Sequence, residues 1–160
     1  MACNPSIVVN GPGSVGGITN SGNIECVDVG DRTVVDGNIT NEATGTIGGG
    51  APPPETGISV HNATINGAIV NSGVIHARGA AIKVTGASTV TGGIRNGSEG
   101  TIEARGEDGN AQGVGGAGAN ITGGITNSGT IIVTGGKGRA VGIAVGGTSP
   151  SKGPRPEPQQ

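Results

Sequence analysis

The chain has no phenylalanine, tyrosine or tryptophan, and no leucine. A globular domain of this length builds its core largely from those residues, so a thick, two-layer core is excluded. The same absence removes the aromatic platform on which sugar rings usually stack. Charge is also scarce: 12% of residues are charged and the net charge is −2, with both signs interspersed. That excludes the basic footprint of a nucleic-acid binder and the basic amphipathic face of a membrane-surface helix. No apolar run approaches the ~20 residues of a membrane-spanning helix. Nor does Met1 open a signal peptide, so an exported form would have shed its leader or would use another route. The two cysteines, Cys3 and Cys26, have no neighbouring histidine and form no CxxC pair. A redox or metal role is the weaker reading for them. In an oxidising compartment they would close a disulfide loop across the first repeat, worth about 3 kcal/mol in the chain-entropy picture.

What the chain has in abundance is glycine, 36 of 160 residues, and a repeated phrase. The clearest copy is Gly123-Gly124-Ile125-Thr126-Asn127-Ser128-Gly129-Thr130-Ile131. It returns around Ile18 to Ile24, Ile39 to Ile47, Ile69 to Ile75 and Ile94 to Ile102. The first isoleucines stand at 18, 39, 69, 94 and 125, in steps of 21, 30, 25 and 31 residues. Repetition at this period marks a solenoid, propeller or array. A further apolar residue stands four positions before the first isoleucine at Val35, Ile65, Val90 and Ile121, and three before it at Val15. Spacings of two and four place apolar residues on one face of an extended chain, whereas a helix needs three and four. Each glycine would also cost a helix about 1 kcal/mol relative to alanine.

Asn20, Asn41, Asn71, Asn96 and Asn127 occupy one equivalent position. Asparagine suits a turn and tolerates left-handed backbone. Stacked in register, identical asparagines can form an amide ladder. The glycine that follows, at 22, 45, 73, 100 and 129, is read as a supplier of positive φ. Another short strand precedes each unit, at Ser6–Val9, Cys26–Val29, Gly57–Val60 and Ala81–Val84, with a poor copy at Gly113-Val114 and a last one at Gly142–Val145. Three short strands per coil and about five to six coils give an all-β fold, a right-handed parallel β-helix or β-solenoid. A propeller blade would need about 40–45 residues. The predicted core stack is Ile18, Ile39, Ile69, Ile94 and Ile125, with a second row of Ile24, Ile47, Ile75, Ile102 and Ile131. Glycine content and low hydrophobicity also fit a disordered chain. The regular placement of isoleucine and valine argues for folding.

The organisation follows: residues 1–14 as a lead-in and cap, 15–147 as the repeats, and 148–160 as a disordered proline-rich tail. Two long insertions interrupt the repeats, at 48–57 and 106–118. Both fall after the third strand of a coil, so both should leave the solenoid at one edge. They are either a binding face, with Pro52, Pro53, Pro54 and Glu55 in one loop and Glu107, Asp108 and Asn110 in the other, or tolerated surface excursions.

No catalytic, metal or cofactor set emerges. The acids Glu25, Asp28, Asp31 and Asp36, and later Glu99, Glu103, Glu107 and Asp108, do not fall at equivalent positions as the paired carboxylates of glycoside hydrolysis would. His61 is placed in a turn and His76 on a solvent face, each without a partner. A calcium-binding nonapeptide fails at Ala140, where aspartate is needed. The threonine row Thr19, Thr40 and Thr126 is broken by Val70 and Arg95, against an ice-binding surface.

Units such as Gly92-Gly93-Ile94, Gly124 to Ile131, Ala81 to Val84 and Ile102 to Gly106 resemble the repeats of bacterial autotransporter passenger domains. The resemblance covers most of residues 5–147, and the early cysteine pair is similar to the start of such passengers. It implies export through the outer membrane by a C-terminal barrel, display outside the cell, and often adhesion and virulence. The chain is short for that family and carries no barrel pattern. The leading expectation is a non-enzymatic, secreted or surface stalk presenting loops to a host or cell-surface ligand. The alternatives are a structural polymer formed by end-to-end self-association into extracellular fibres, and a carbohydrate-active β-helix enzyme.

Overall fold

The computed structural model describes residues 6–107 and 109–146 of the chain, and among them every regular element is a β-strand. The first circuit of the backbone runs through β1 (Ser6–Asn10), β2 (Gly13–Asn20) and β3 (Asn23–Ile24). The second runs through β4 (Cys26–Gly30), β5 (Thr33–Asn41) and β6 (Thr46–Ile47). The next has four strands: β7 (Thr56–His61), β8 (Thr64–Ile65), β9 (Ile69–Asn71) and β10 (Val74–Ala77). It is followed by β11 (Ala80–Thr85), β12 (Thr89–Val90), β13 (Ile94–Asn96) and β14 (Thr101–Gly106). Then come β15 (Ala111–Ala117), β16 (Asn120–Ile121), β17 (Ile125–Asn127) and β18 (Thr130–Gly135), and finally β19 (Ala140–Gly146).

Every strand pairs in parallel with its counterparts one circuit away. The first sheet orders as β1-β4-β7-β11-β15-β19 and the third as β18-β14-β10-β6-β3. The middle sheet is a double row joined through the long strand β5, which pairs with β8 by Val34 and Val35 and with β9 by Ile39 to Asn41. The architecture is a parallel β-helix. The middle strand is continuous in β2 and β5 and split in the later circuits. In the last two of these circuits Gly93 and Gly124 take φ of +80° and +76°, left-handed backbone that turns the chain between the two short strands.

The two isoleucine rows stack one above another. Ile18, Ile39, Ile69, Ile94 and Ile125 are in register, as are Ile24, Ile47, Ile75, Ile102 and Ile131. Ile39, Ile47, Ile69, Ile75, Ile94 and Ile102 are fully buried, Ile18 nearly so, and Ile24, Ile125 and Ile131 half-buried towards the ends. Val27, Ile58, Ile82 and Val114 supply a further row from the first sheet. Burying one such side chain stabilises by about 1.5–3 kcal/mol, so the thin core is spread along the whole stack. At the last circuit cover is lost: Ile143 and Val145, inward by register, are 43% and 51% exposed.

The asparagines form a ladder across the circuits. Asn20 Nδ2 donates to Asn41 Oδ1 at 2.9 Å, Asn41 to Asn71 at 2.8 Å, Asn71 to Asn96 at 2.9 Å and Asn96 to Asn127 at 2.8 Å. Each amide also donates to a carbonyl of its own turn, that of Gly22, Gly45, Gly73, Gly100 or Gly129. Asn41 and Asn71 are fully buried, and Asn20 and Asn96 nearly so. The asparagines use ordinary backbone here; the left-handed non-glycine residues are Asp31, Arg32 and Asn62. The glycines of this turn are likewise not in the left-handed region. Their requirement is steric: a Cβ on Gly73 would lie 2.2 Å from the Gly45 carbonyl oxygen, and one on Gly129 would lie 2.3 Å from that of Gly100. In the second and fourth copies, two extra residues close a local turn, Gly45 N to Glu42 O and Gly100 N to Gly97 O, and the register continues unchanged beyond them.

The first sheet begins at Ser6, as the short strand read at Ser6–Val9 expects. Two readings from the sequence are corrected. The insertion placed at 106–118 is only the connection 107–110, because Ala111–Ala117 is strand β15 with Val114 buried. A glycine-rich segment still pairs through its backbone, which is what β15 does between β11 and β19. The first insertion ends at Glu55, since β7 starts at Thr56. Buried Cys26 is disulfide-bonded. Its expected partner Cys3, Asp108 and the tail over 148–160 lie outside the described residues.

Two stability experiments test the stack. Ile69→Asp places a charge between buried layers and should abolish the cooperative transition in a circular-dichroism melt; an unchanged melt contradicts the stacking. Asn71→Ala removes an acceptor and a donor from the buried ladder and should cost about 2–4 kcal/mol in urea unfolding, whereas Asn127→Ala, at the exposed end, should cost less than about 1 kcal/mol.

Candidate functional site

The corner between the third and first sheets varies most from one circuit to the next. It is the single residue Glu25 after β3, residues 48–55 after β6, 78–79 after β10, 107–110 after β14 and 136–139 after β18. The 48–55 insertion is tied down at both ends. Gly48 N donates to Ile24 O at 2.8 Å where it leaves the helix. Arg78 N donates to Pro54 O at 2.8 Å, and Gly79 N and Ala80 N to Glu55 O at 2.9 and 3.0 Å. The Arg78 guanidinium adds Nε to Pro53 O at 2.9 Å. Three successive prolines cannot donate to a ladder, which is why this segment leaves the sheet. Its carbonyls are instead taken up by the following corner.

The insertion overhangs the outer face of the first sheet. Between them lies an open cleft of 740 Å³, lined by Val8 of β1, by Glu25 and Asp28, by Ser59 of β7, by Ala51 to Glu55 and by Arg78. Its walls are apolar where the prolines and Val8 stand, and Val8 is 54% exposed. Its polar groups are mainly acidic. Asp28 Oδ1 lies 3.0 Å from His61 Nε2. Neither the Glu25 nor the Glu55 carboxylate has a hydrogen-bond or ion-pair partner among the described residues.

On the other side of Pro53, over the third sheet, is a second depression of 470 Å³ reached by Asn23, Thr46, His76, Glu103 and Arg105. Glu103 is almost buried and accepts from two neighbours: His76 Nδ1 at 2.8 Å and Arg105 Nε at 2.5 Å. Reading the sequence left both histidines unpartnered. The structure pairs each with a carboxylate of another circuit, and His61 closes β7 rather than lying in a turn. A signal was available for one pair. His76 and Glu103 each follow the second isoleucine of their repeat, so in-register stacking puts them side by side. His61 and Asp28 are offset by two residues along neighbouring strands, and only the backbone path reveals that contact.

Pro52, Pro53, Pro54 and Glu55 are brought together in the large cleft. Glu107 and Asn110 are not part of it. They sit at the same corner further along the helix, where Asn110 Oδ1 accepts from Arg139 N at 2.8 Å and lines a small hollow of 150 Å³ with Gln112 and Val141. No group of three or more His, Cys, Asp or Glu side chains that could hold a metal ion occurs among the described residues. The arrangement is that of a rigid surface groove with apolar walls and anionic rims, suited to holding a ligand. Comparison with protein-family models, with curated proteins and with solved structures finds no match.

Arg78→Ala should loosen the proline insertion while leaving the solenoid folded. Loss of one charge-assisted contact, about 1 kcal/mol for a half-exposed group, should speed proteolytic nicking between residues 50 and 55 about fivefold, with an unchanged circular-dichroism spectrum. An unaltered nicking rate would show that the backbone bonds alone hold the loop.

Proposed function

We propose that the chain is a non-enzymatic display scaffold: a stiff β-solenoid, secreted or held at a bacterial cell surface, that presents the proline-walled cleft to a host or cell-surface ligand. The observation that carries this reading is the placement of the variable insertions. They leave the helix at one corner, and the longest is anchored at both of its ends over a groove. A rigid repeat frame with length variation confined to one corner is how repeat proteins vary a binding surface without disturbing their core. The resemblance of the repeats to autotransporter passengers supports an extracellular setting, with membrane attachment through a C-terminal barrel outside this chain. A disulfide-bonded Cys26 favours an oxidising compartment.

End-to-end polymerisation is the second reading, favoured by the uncovered Ile143 and Val145 and by the terminal rung at Asn127. What weighs against blunt head-to-tail stacking is the step in the end. Among the described residues the first sheet has six strands and the third has five, so β19 stands one layer above the edges of β17 and β18. A second copy placed with its β1 on β19 would leave a layer vacant over the other two faces.

Replacing Ala51 to Pro54 with a Gly-Ser-Gly-Ser segment tests the display reading. Immobilised wild-type chain should retain ligands from arrays of extracellular-matrix proteins and surface glycans. The replacement should lose them while keeping its melting transition within about 1 kcal/mol. Equal retention by both proteins would remove the cleft from the function.

A further inference from the structure

The cleft has a chemistry that its size alone does not disclose. The whole chain carries a net charge of only −2, yet this groove gathers three carboxylates, Glu25, Asp28 and Glu55, and a single guanidinium. That guanidinium, Arg78, is turned to the Pro53 carbonyl at 2.9 Å and so is committed to the wall. Asp28 faces His61 at 3.0 Å. Glu25 and Glu55, which both line the groove, have no hydrogen-bond or ion-pair partner among the described residues. Glu25 stands at the corner between β3 and β4, against Gly50, where an added Cβ would lie 2.6 Å from its carboxylate oxygens. Glu55 stands at the end of the insertion, just before β7. The same groove is lined by the apolar rings of Pro52 to Pro54 and by the exposed side chain of Val8.

We infer that this groove binds a short, extended, basic peptide segment of a partner protein, with a lysine or arginine head at Glu25 and at Glu55. This deepens the display reading and rests on it. Two features select this occupant. Charge complementarity asks for cations, and the hydrogen-bonded backbone that carries Glu55 loses little freedom when they are met. The apolar strip of the groove matches the aliphatic stems of lysine and arginine, which lie along apolar surface while the charged head reaches a polar group. Prolines make that strip stiff and supply no N–H to be left unpaired on desolvation. A volume of 740 Å³ holds a few residues of extended chain and is too small for a folded domain. An acidic ligand would face three carboxylates against the single guanidinium of Arg78.

The test uses the full chain and two defined probes: an acetylated, amidated peptide alternating arginine and valine, and its counterpart with glutamate for arginine. Isothermal calorimetry at low salt should give a Kd tighter than about 1 mM for the basic peptide and no binding for the acidic one. Raising the salt to about 0.5 M should weaken the interaction severalfold. Glu25→Gln and Glu55→Gln are surface substitutions that leave every described hydrogen bond in place. Each should weaken binding about tenfold, and the double variant should abolish it. Glu107→Gln, at the distant corner, should change nothing. Absence of basic-peptide binding by the wild type overturns the inference, as does binding that survives the double variant. Equal competition by spermine, independent of any peptide backbone, overturns the assignment to a peptide. If the basic peptide fails while the array ligand is still retained through residues 51 to 54, the inference falls and the display reading stands.

Discussion

The constraint on which this structure depends is register between successive circuits. A parallel β-helix with neither leucine nor aromatic side chains has no bulky group to fill a misfit. Each isoleucine must therefore sit on the isoleucine beneath it. The asparagine ladder enforces this. An amide that donates upward at 2.8–2.9 Å and also donates to its own turn fits only when each turn superimposes on its neighbour. Slippage by one residue would put the apolar row outside, together with the asparagines that share its face, and break the ladder. Close approach follows from the same geometry. Backbone carbonyls come so near Gly45, Gly73, Gly100 and Gly129 from the preceding circuit that no Cβ fits at these turn glycines.

A frame held this way can absorb irregularity where it does not stack. The two-residue expansions after Asn41 and Asn96 fold into local turns, and the eight-residue insertion at 48–55 departs at a corner and returns to the same register at β7. The proline segment is rigid because it contributes carbonyls and no donors, and the next corner supplies the donors. Stacking also creates contacts between residues far apart in the chain. Asp28 with His61, and His76 with Glu103 and Arg105, are products of the frame. The groove with its two unpaired carboxylates is another such product, since one carboxylate comes from the corner after β3 and the other from the insertion one circuit later.

The strand type, the repeat period, the isoleucine rows and the equivalence of the five asparagines were legible along the chain, because each is a matter of spacing. The glycines were legible as a pattern but their cause was misread. Positive φ is a property of a single residue, whereas the clash at Gly73 involves a carbonyl 28 residues away at Gly45. Strand β15 was read as loop for a related reason. Gly113, Gly115 and Gly116 carry no periodic side chain, and the pairing that makes them a strand belongs to β11 and β19 on either side. The partner of His76 could have been read from its place after the second isoleucine, shared with Glu103, whereas that of His61 was hidden because Asp28, 33 residues distant, becomes a neighbour only through an offset between strands.

What the amino-acid sequence determined by itself, then, is the unit: which residues point inward, where the chain turns, and that one copy must lie upon the next. Those properties are local and periodic, and the spacing of apolar, glycine and asparagine residues encodes them directly. What only the tertiary structure decided is the surface. The strand to which a glycine-rich segment belongs, the corner that anchors the prolines, and the carboxylates left without a partner depend on the length of each circuit and the offset between neighbours. Unequal circuits bring together residues whose separation in the chain follows no period, so no pattern along the sequence can announce them.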